Sequence, residues 1–109
     1  MIPIPWFNAD SKMYAHPKPR QAGLEAMGLW LVCGTYASDN LTDGQIPLWY
    51  IQSWPRGLKL AGNLVAVSLW TKTSDGYQFN AWDEYQRTRE QVLADREKAK
   101  DRQRQRRSR

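Results

Sequence analysis

The chain has one cysteine and one histidine in 109 residues. A lone Cys33 cannot close an intramolecular disulfide, and a zinc site would need other ligands. His16 stands beside Pro17 in a proline-interrupted loop, far from Cys33 in sequence. No P-loop, dinucleotide fingerprint or nucleophile elbow occurs. Asp39, Asp43 and Asp75 each fall among turn formers, where Asp is favoured for local hydrogen bonds rather than for holding a cation. These absences argue against an enzyme and against a metal or cofactor. Long apolar runs are missing too, since none approaches the roughly 18 residues of a membrane span. The opening Met1-Ile-Pro-Ile-Pro-Trp-Phe7 lacks the basic stretch and long apolar core of a secretory signal. A cytoplasmic protein in a reducing compartment, with no membrane partner, is expected.

Charge is present but unevenly placed. The net charge is +5. Residues 1–86 hold six Lys/Arg against seven Asp/Glu, whereas residues 87–109 hold ten against four. The whole basic excess therefore belongs to the C-terminal end. An appended cationic arm of this kind suits a polyanion, because Lys and Arg neutralise phosphates and release counterions. A chain of this length has room for one modest core, and six Trp must supply much of it.

Hydrophobic periodicity predicts three helices and a hairpin. After an extended arm at Trp6-Phe7-Asn8 and a loop around His16-Pro17-Lys18-Pro19, a first helix is expected over residues 21–37. Its apolar stripe is Leu24, Met27, Leu31 and Val32, widened by Trp30 and Cys33. Asp39-Asn-Leu-Thr-Asp-Gly44 reads as a turn leading to a short strand at Ile46. Pro47 suits the first turn of a second helix that stops near Ser53, ahead of Pro55. The third, from about Gly57 to Leu69, sets Leu60, Ala61, Leu64, Val65 and Ser68 on an inner face. Lys59, Gly62, Asn63 and Ala66 take the outer one. Trp70-Thr-Lys-Thr73 and Tyr77-Gln-Phe-Asn80 flank Ser74-Asp75-Gly76 as a hairpin packed through Trp70, Tyr77 and Phe79.

Helix, short strand, short helix, helix and hairpin is the element order of a winged helix-turn-helix. The expected fold is thus α+β, mainly α. A winged helix-turn-helix domain over residues 1–86 precedes a charged helix over 87–100 and an Arg-rich flexible tail over 101–109. In that geometry Lys59, Gly62, Asn63 and Ala66 are the base-reading candidates. A lysine can reach guanine, an asparagine can bond an adenine edge bidentately, and small residues let the helix approach the groove floor. Candidates for the DNA backbone are Lys18, Arg20 and Arg56 near the helix starts, Thr71, Lys72 and Thr73 in the wing, and Arg102, Arg104, Arg106, Arg107 and Arg109 in the tail.

The segments Leu41-Thr-Asp-Gly-Gln-Ile-Pro47 and Phe79-Asn-Ala-Trp-Asp-Glu-Tyr-Gln86, with Trp6-Phe7, His16-Pro-Lys18, Ala26-Met-Gly-Leu-Trp30, Gly62 to Trp70 and Tyr85-Gln-Arg-Thr-Arg89, carry a resemblance to a known family. They resemble the N-terminal winged-helix domain of replication-initiation, or replisome-organiser-like, proteins and small helix-turn-helix proteins of actinobacterial phages and prophages. The resemblance implies binding of double-stranded DNA in replication initiation or transcriptional control, inside a bacterial host, with replication or host proteins as further partners. It does not choose between the two roles or fix an oligomeric state.

A second function fits the same chain. Trp49, Tyr50 and Trp54 put three aromatics around a helix of about six residues. Exposed aromatic clusters mark protein interfaces, so the alternative is a protein-interaction module that seizes a host or phage protein. Burial of the three rings in the core is the competing expectation.

Overall fold

The computed structural model describes residues 5–107. Among these, a 3-10 turn at Met13–Ala15 precedes helices α1 (Pro17–Ala22) and α2 (Leu24–Asn40), strand β1 (Gln45–Pro47), helices α3 (Leu48–Gln52) and α4 (Gly57–Ala66), strands β2 (Trp70–Lys72) and β3 (Gly76–Phe79), and helices α5 (Trp82–Tyr85) and α6 (Arg89–Arg107). The class is mixed α+β and mainly helical.

The chain becomes helical earlier than its prolines suggest. Pro17 occupies the first turn of α1, where a missing N–H costs nothing, and the His16 ring accepts a hydrogen bond from the Lys18 N–H at 3.2 Å. Gly23, at φ 93°, then separates α1 from α2. What reads as one helix from residue 21 is therefore two.

The inner face of α2 matches expectation only in part. Its buried residues are Ala26, Leu29, Trp30, Cys33, Gly34, Ala37 and Ser38, whereas Leu24 is 93% exposed and Leu31 50%. At Gly34 the inward residue is small because an aromatic ring occupies the space beside it. A Cβ at Gly34 would collide with the ring of Phe7. That ring meets Trp30 edge-on at 4.7 Å and lies 5.7 Å from Phe79. Of the expected stripe, Trp30 and Cys33 are buried and Met27 and Val32 pack against the core from its edge, while Leu24 and Leu31 point outward.

The three strands form one antiparallel sheet in the order β1-β3-β2, with Ile46 opposite Tyr77 and Trp70 opposite Phe79. Trp70, Tyr77 and Phe79 are all buried, and with Ile46, Ile51, Leu60 and Leu64 they form the core beneath α2 and α4. The hairpin turn is tied back to the helices, since the Leu48 N–H donates to the Asp75 carbonyl at 3.0 Å. Between α3 and α4 the chain turns so tightly that a Cβ at Gly57 would strike the Ile51 carbonyl oxygen.

A capping box opens α6. The Thr88 hydroxyl accepts from the Gln91 N–H at 3.2 Å while the Gln91 side chain accepts from the Thr88 N–H at 2.9 Å, and this reciprocal pairing fixes a helix start. Asp43 adds an acceptor for the Arg89 N–H at 2.6 Å. From there the helix runs unbroken through Arg107, so the expected boundary at residue 100 is not observed. Arg, Gln and Lys are strong helix formers, no Gly or Pro interrupts them, and cations suit a helix C-terminus.

Candidate nucleic-acid interface

The amphipathic pattern of α4 sorts its residues. Leu60, Ala61 and Leu64 are buried, while Lys59, Gly62 and Ala66 are exposed and Asn63 is half-buried. These four outer residues sit at i, i+3, i+4 and i+7, so the helix brings them onto one stripe. Nothing lies within 4 Å of where a Cβ on Gly62 would stand, and the backbone is open to an approaching surface. Val65 packs against the core as a half-buried residue. One detail departs from expectation: Ser68 is exposed, because the helix ends at Ala66 and Ser68 turns into left-handed backbone at φ 64°.

Lys59 and Asn63 open on a shallow depression of about 240 Å³ between α4 and the junction of α1 with α2. Arg56 and Glu25 line the same depression. Arg56 stands directly before α4 in left-handed backbone at φ 57°, and its guanidinium forms a close ion pair with the Glu25 carboxylate. Arg56 is therefore not the free phosphate contact that its position suggests. Glu25 lies 31 residues earlier, and local patterning gives no sign of the pairing.

The hairpin candidates are partly engaged as well. The Lys72 ammonium lies over the Tyr77 ring, 5.2 Å from its centroid, and the Thr71 hydroxyl donates to Asn80 at 2.6 Å. Asn80 in turn donates to the Ser68 carbonyl at 2.8 Å. The Thr73 side chain is exposed. On α1, Arg20 is exposed, whereas Lys18 is half-buried and lines a separate groove of about 360 Å³ with Trp30, Trp82 and Tyr85.

Acids along α6 hold some of the cations on and just before it. Arg87 pairs with Asp95 at 2.6 Å, and Arg104 reaches Glu97 at 3.5 Å and Asp101 at 3.4 Å. Arg104 thus departs from the expectation of a free tail cation. Arg102, Arg106 and Arg107 are exposed and stand outside these pairs. Arg109 lies outside the described residues.

Two of the aromatic candidates are on the surface, with Trp49 62% and Trp54 40% exposed, while Tyr50 is half-buried and packs against the core. The residue of α3 that fills the core is Ile51. Tyr36 on α2, which no sequence pattern singles out, completes a ladder. It stacks on Tyr50 at 4.7 Å, and Trp49 and Trp54 meet Tyr50 edge-on at 5.7 and 6.3 Å.

Elsewhere polar chemistry is structural. Burial pushes the Cys33 thiol up to about 12, His16 caps α1, and Asp43 caps α6. Among the described residues no three His, Cys, Asp or Glu side chains gather in a way that could hold a metal ion. None of the described helices is long and apolar enough to cross a membrane. No family model, curated protein or solved structure matches the chain at a significant level.

Proposed function

We propose that the protein binds double-stranded DNA as a winged helix-turn-helix, with α4 reading base edges in the major groove, the β2–β3 hairpin against the backbone, and α6 supplying general affinity. The observation that carries this reading is the outer stripe of α4. It puts one cation, one amide able to read adenine, and two small residues on an open face of the second helix in a tightly turned pair,. The element order and the β1-β3-β2 sheet support the winged-helix assignment,. The motif resemblance supports a place in phage or prophage replication initiation or transcriptional control, within a bacterial cytoplasm. Catalysis has no part in this reading. Selection of duplexes from a random-sequence pool tests it: an enriched motif supports base reading, and a pool that stays random overturns it.

A protein-interaction role has its own observation, the exposed Trp49 and Trp54 rings set on the half-buried Tyr36 and Tyr50. Rigid Trp and Tyr rings are favoured anchors at interfaces. A host or phage protein captured from lysate after nuclease treatment, and no longer captured by Trp49→Ala, would support this second reading.

A further inference from the structure

Helix α2 has no charged side to offer water. A surface helix keeps charges on the face away from the core, and a helix that is apolar all round belongs inside a larger structure. Residues 26–38 carry no charge at all, in a chain of which 25% is charged. One face of this stretch nevertheless stays open. Leu24, Gly28, Leu31 and Thr35 recur at i, i+4, i+7 and i+11 on one outer stripe, and all four are exposed. Met27 and Val32 flank the stripe, half-buried against the core. One turn beyond Val32 the face continues through Tyr36, whose ring meets the exposed Trp49 edge-on at 6.1 Å. Two acids border it. Glu25 is neutralised within its own chain by Arg56, and Asp39 stands at the far end of the helix.

We propose that this face joins two copies of the chain, with their α2 helices antiparallel about a two-fold axis at Gly28. Glycine inside a helix is destabilising, and nothing lies within 4 Å of where a Cβ on Gly28 would stand. The fold of one chain does not ask for a glycine there; a second backbone crossing close by does. Leu24 and Leu31 stand about one turn to either side of it, so the stripe is nearly the same from both ends. Crossing at Gly28 sets Leu24 of each copy beside Leu31 of the other, the self-complementary patch that a two-fold interface requires. The size is also sufficient. A helix as long as α2 extends about 25 Å, and with α3 beside it the face is about 20 Å wide. Two such faces bury on the order of 1,000 Å² together, enough for a specific interface of modest affinity. The pairing rests on neither functional reading above.

The test is sedimentation equilibrium of the full chain, free of nucleic acid, from about 1 μM to about 1 mM. Wild type should pass from monomer to dimer within that range and form nothing larger. Leu31→Glu puts an unpaired carboxylate into the joint and should weaken pairing about a hundredfold or more. Gly28→Gln keeps a good helix former in open space, and holds the two helices apart, so it should weaken pairing comparably. Circular dichroism melts at the lowest concentration establish that both variants fold as wild type does. Orientation is read by cross-linking in a Cys33→Ala background: mixed Leu24→Cys and Leu31→Cys chains should form the disulfide between unlike chains in preference to like ones. A wild type that stays monomeric at every concentration overturns the inference and leaves the face to a different protein. A dimer that neither Leu31→Glu nor Gly28→Gln weakens overturns it as well, and preferential cross-linking of like chains overturns the antiparallel axis.

Discussion

The Gln86 side chain pairs with the backbone of Asn8 as a neighbouring strand would, accepting its N–H and donating to its carbonyl, each at 2.7 Å. Gln86 is buried, and the Asn8 amide also donates to the Tyr85 carbonyl at 3.1 Å. This clamp holds the N-terminal segment so that Phe7 stays on Gly34, and it anchors the end of α5 just before α6. Gln86→Ala leaves two backbone groups without partners and should lower stability by about 1–3 kcal/mol. A urea melt checks it; DNA affinity well below the melting range should not change.

Gly62→Ala should separate folding from binding. The added methyl meets nothing in the free protein and replaces a glycine inside a helix, so stability should rise by about 0.5–1 kcal/mol. If the stripe enters the groove, the same methyl holds the helix off the floor, and cognate affinity should fall. Higher stability with unchanged cognate affinity would contradict the groove contact at this position.

Gly57→Ala has the opposite geometry. Its Cβ would enter the Ile51 carbonyl oxygen, backbone that cannot rotate aside as a side chain can. Overpacking should cost about 1–3 kcal/mol or more, and loosening of the α3–α4 turn should weaken DNA binding as well. Thermal denaturation and a binding titration on one preparation measure both.

Replacing Arg102, Arg106 and Arg107 with Gln should weaken binding to all duplexes alike and make the salt slope shallower by about 0.9 for each phosphate no longer neutralised. Gln is a good helix former, so α6 should persist by circular dichroism. Selective weakening of cognate binding would assign these arginines to base reading instead.

Cys33 gives a pH prediction. Burial raises its thiol from the ordinary 9.0 to about 12, so the folded state holds its proton where the unfolded chain releases it. The sign follows from linkage: this contribution is fully present below pH 9.0 and is lost as pH rises toward about 12,. Cys33→Ala should remove that component of the alkaline fall in stability, measured by urea melts across the range.

How much of this was legible in the sequence depends on the range of the interactions. The faces of α4 and the hairpin around Asp75-Gly76 follow from local periodicity and turn chemistry, and both appear as expected. The inner side of α2 follows only in part, because Gly34 is set by the fit of Phe7 rather than by its own hydrophobicity. Pairing of Arg56 with Glu25, of Tyr36 with Tyr50 and of Gln86 with Asn8 joins residues far apart in the chain, and no spacing rule reaches them. The continuation of α6 to Arg107 is visible in helix propensity, but an Arg-rich composition points equally toward disorder.

The central claim is that α4 reads bases, and Asn63 tests it most directly. Measure the affinity of wild type and Asn63→Ala for the pool-selected duplex and for a random one at the same salt concentration. The account predicts a loss of about 1–3 kcal/mol on the selected duplex and almost none on the random one. An equal effect on both, or none on either, would contradict it.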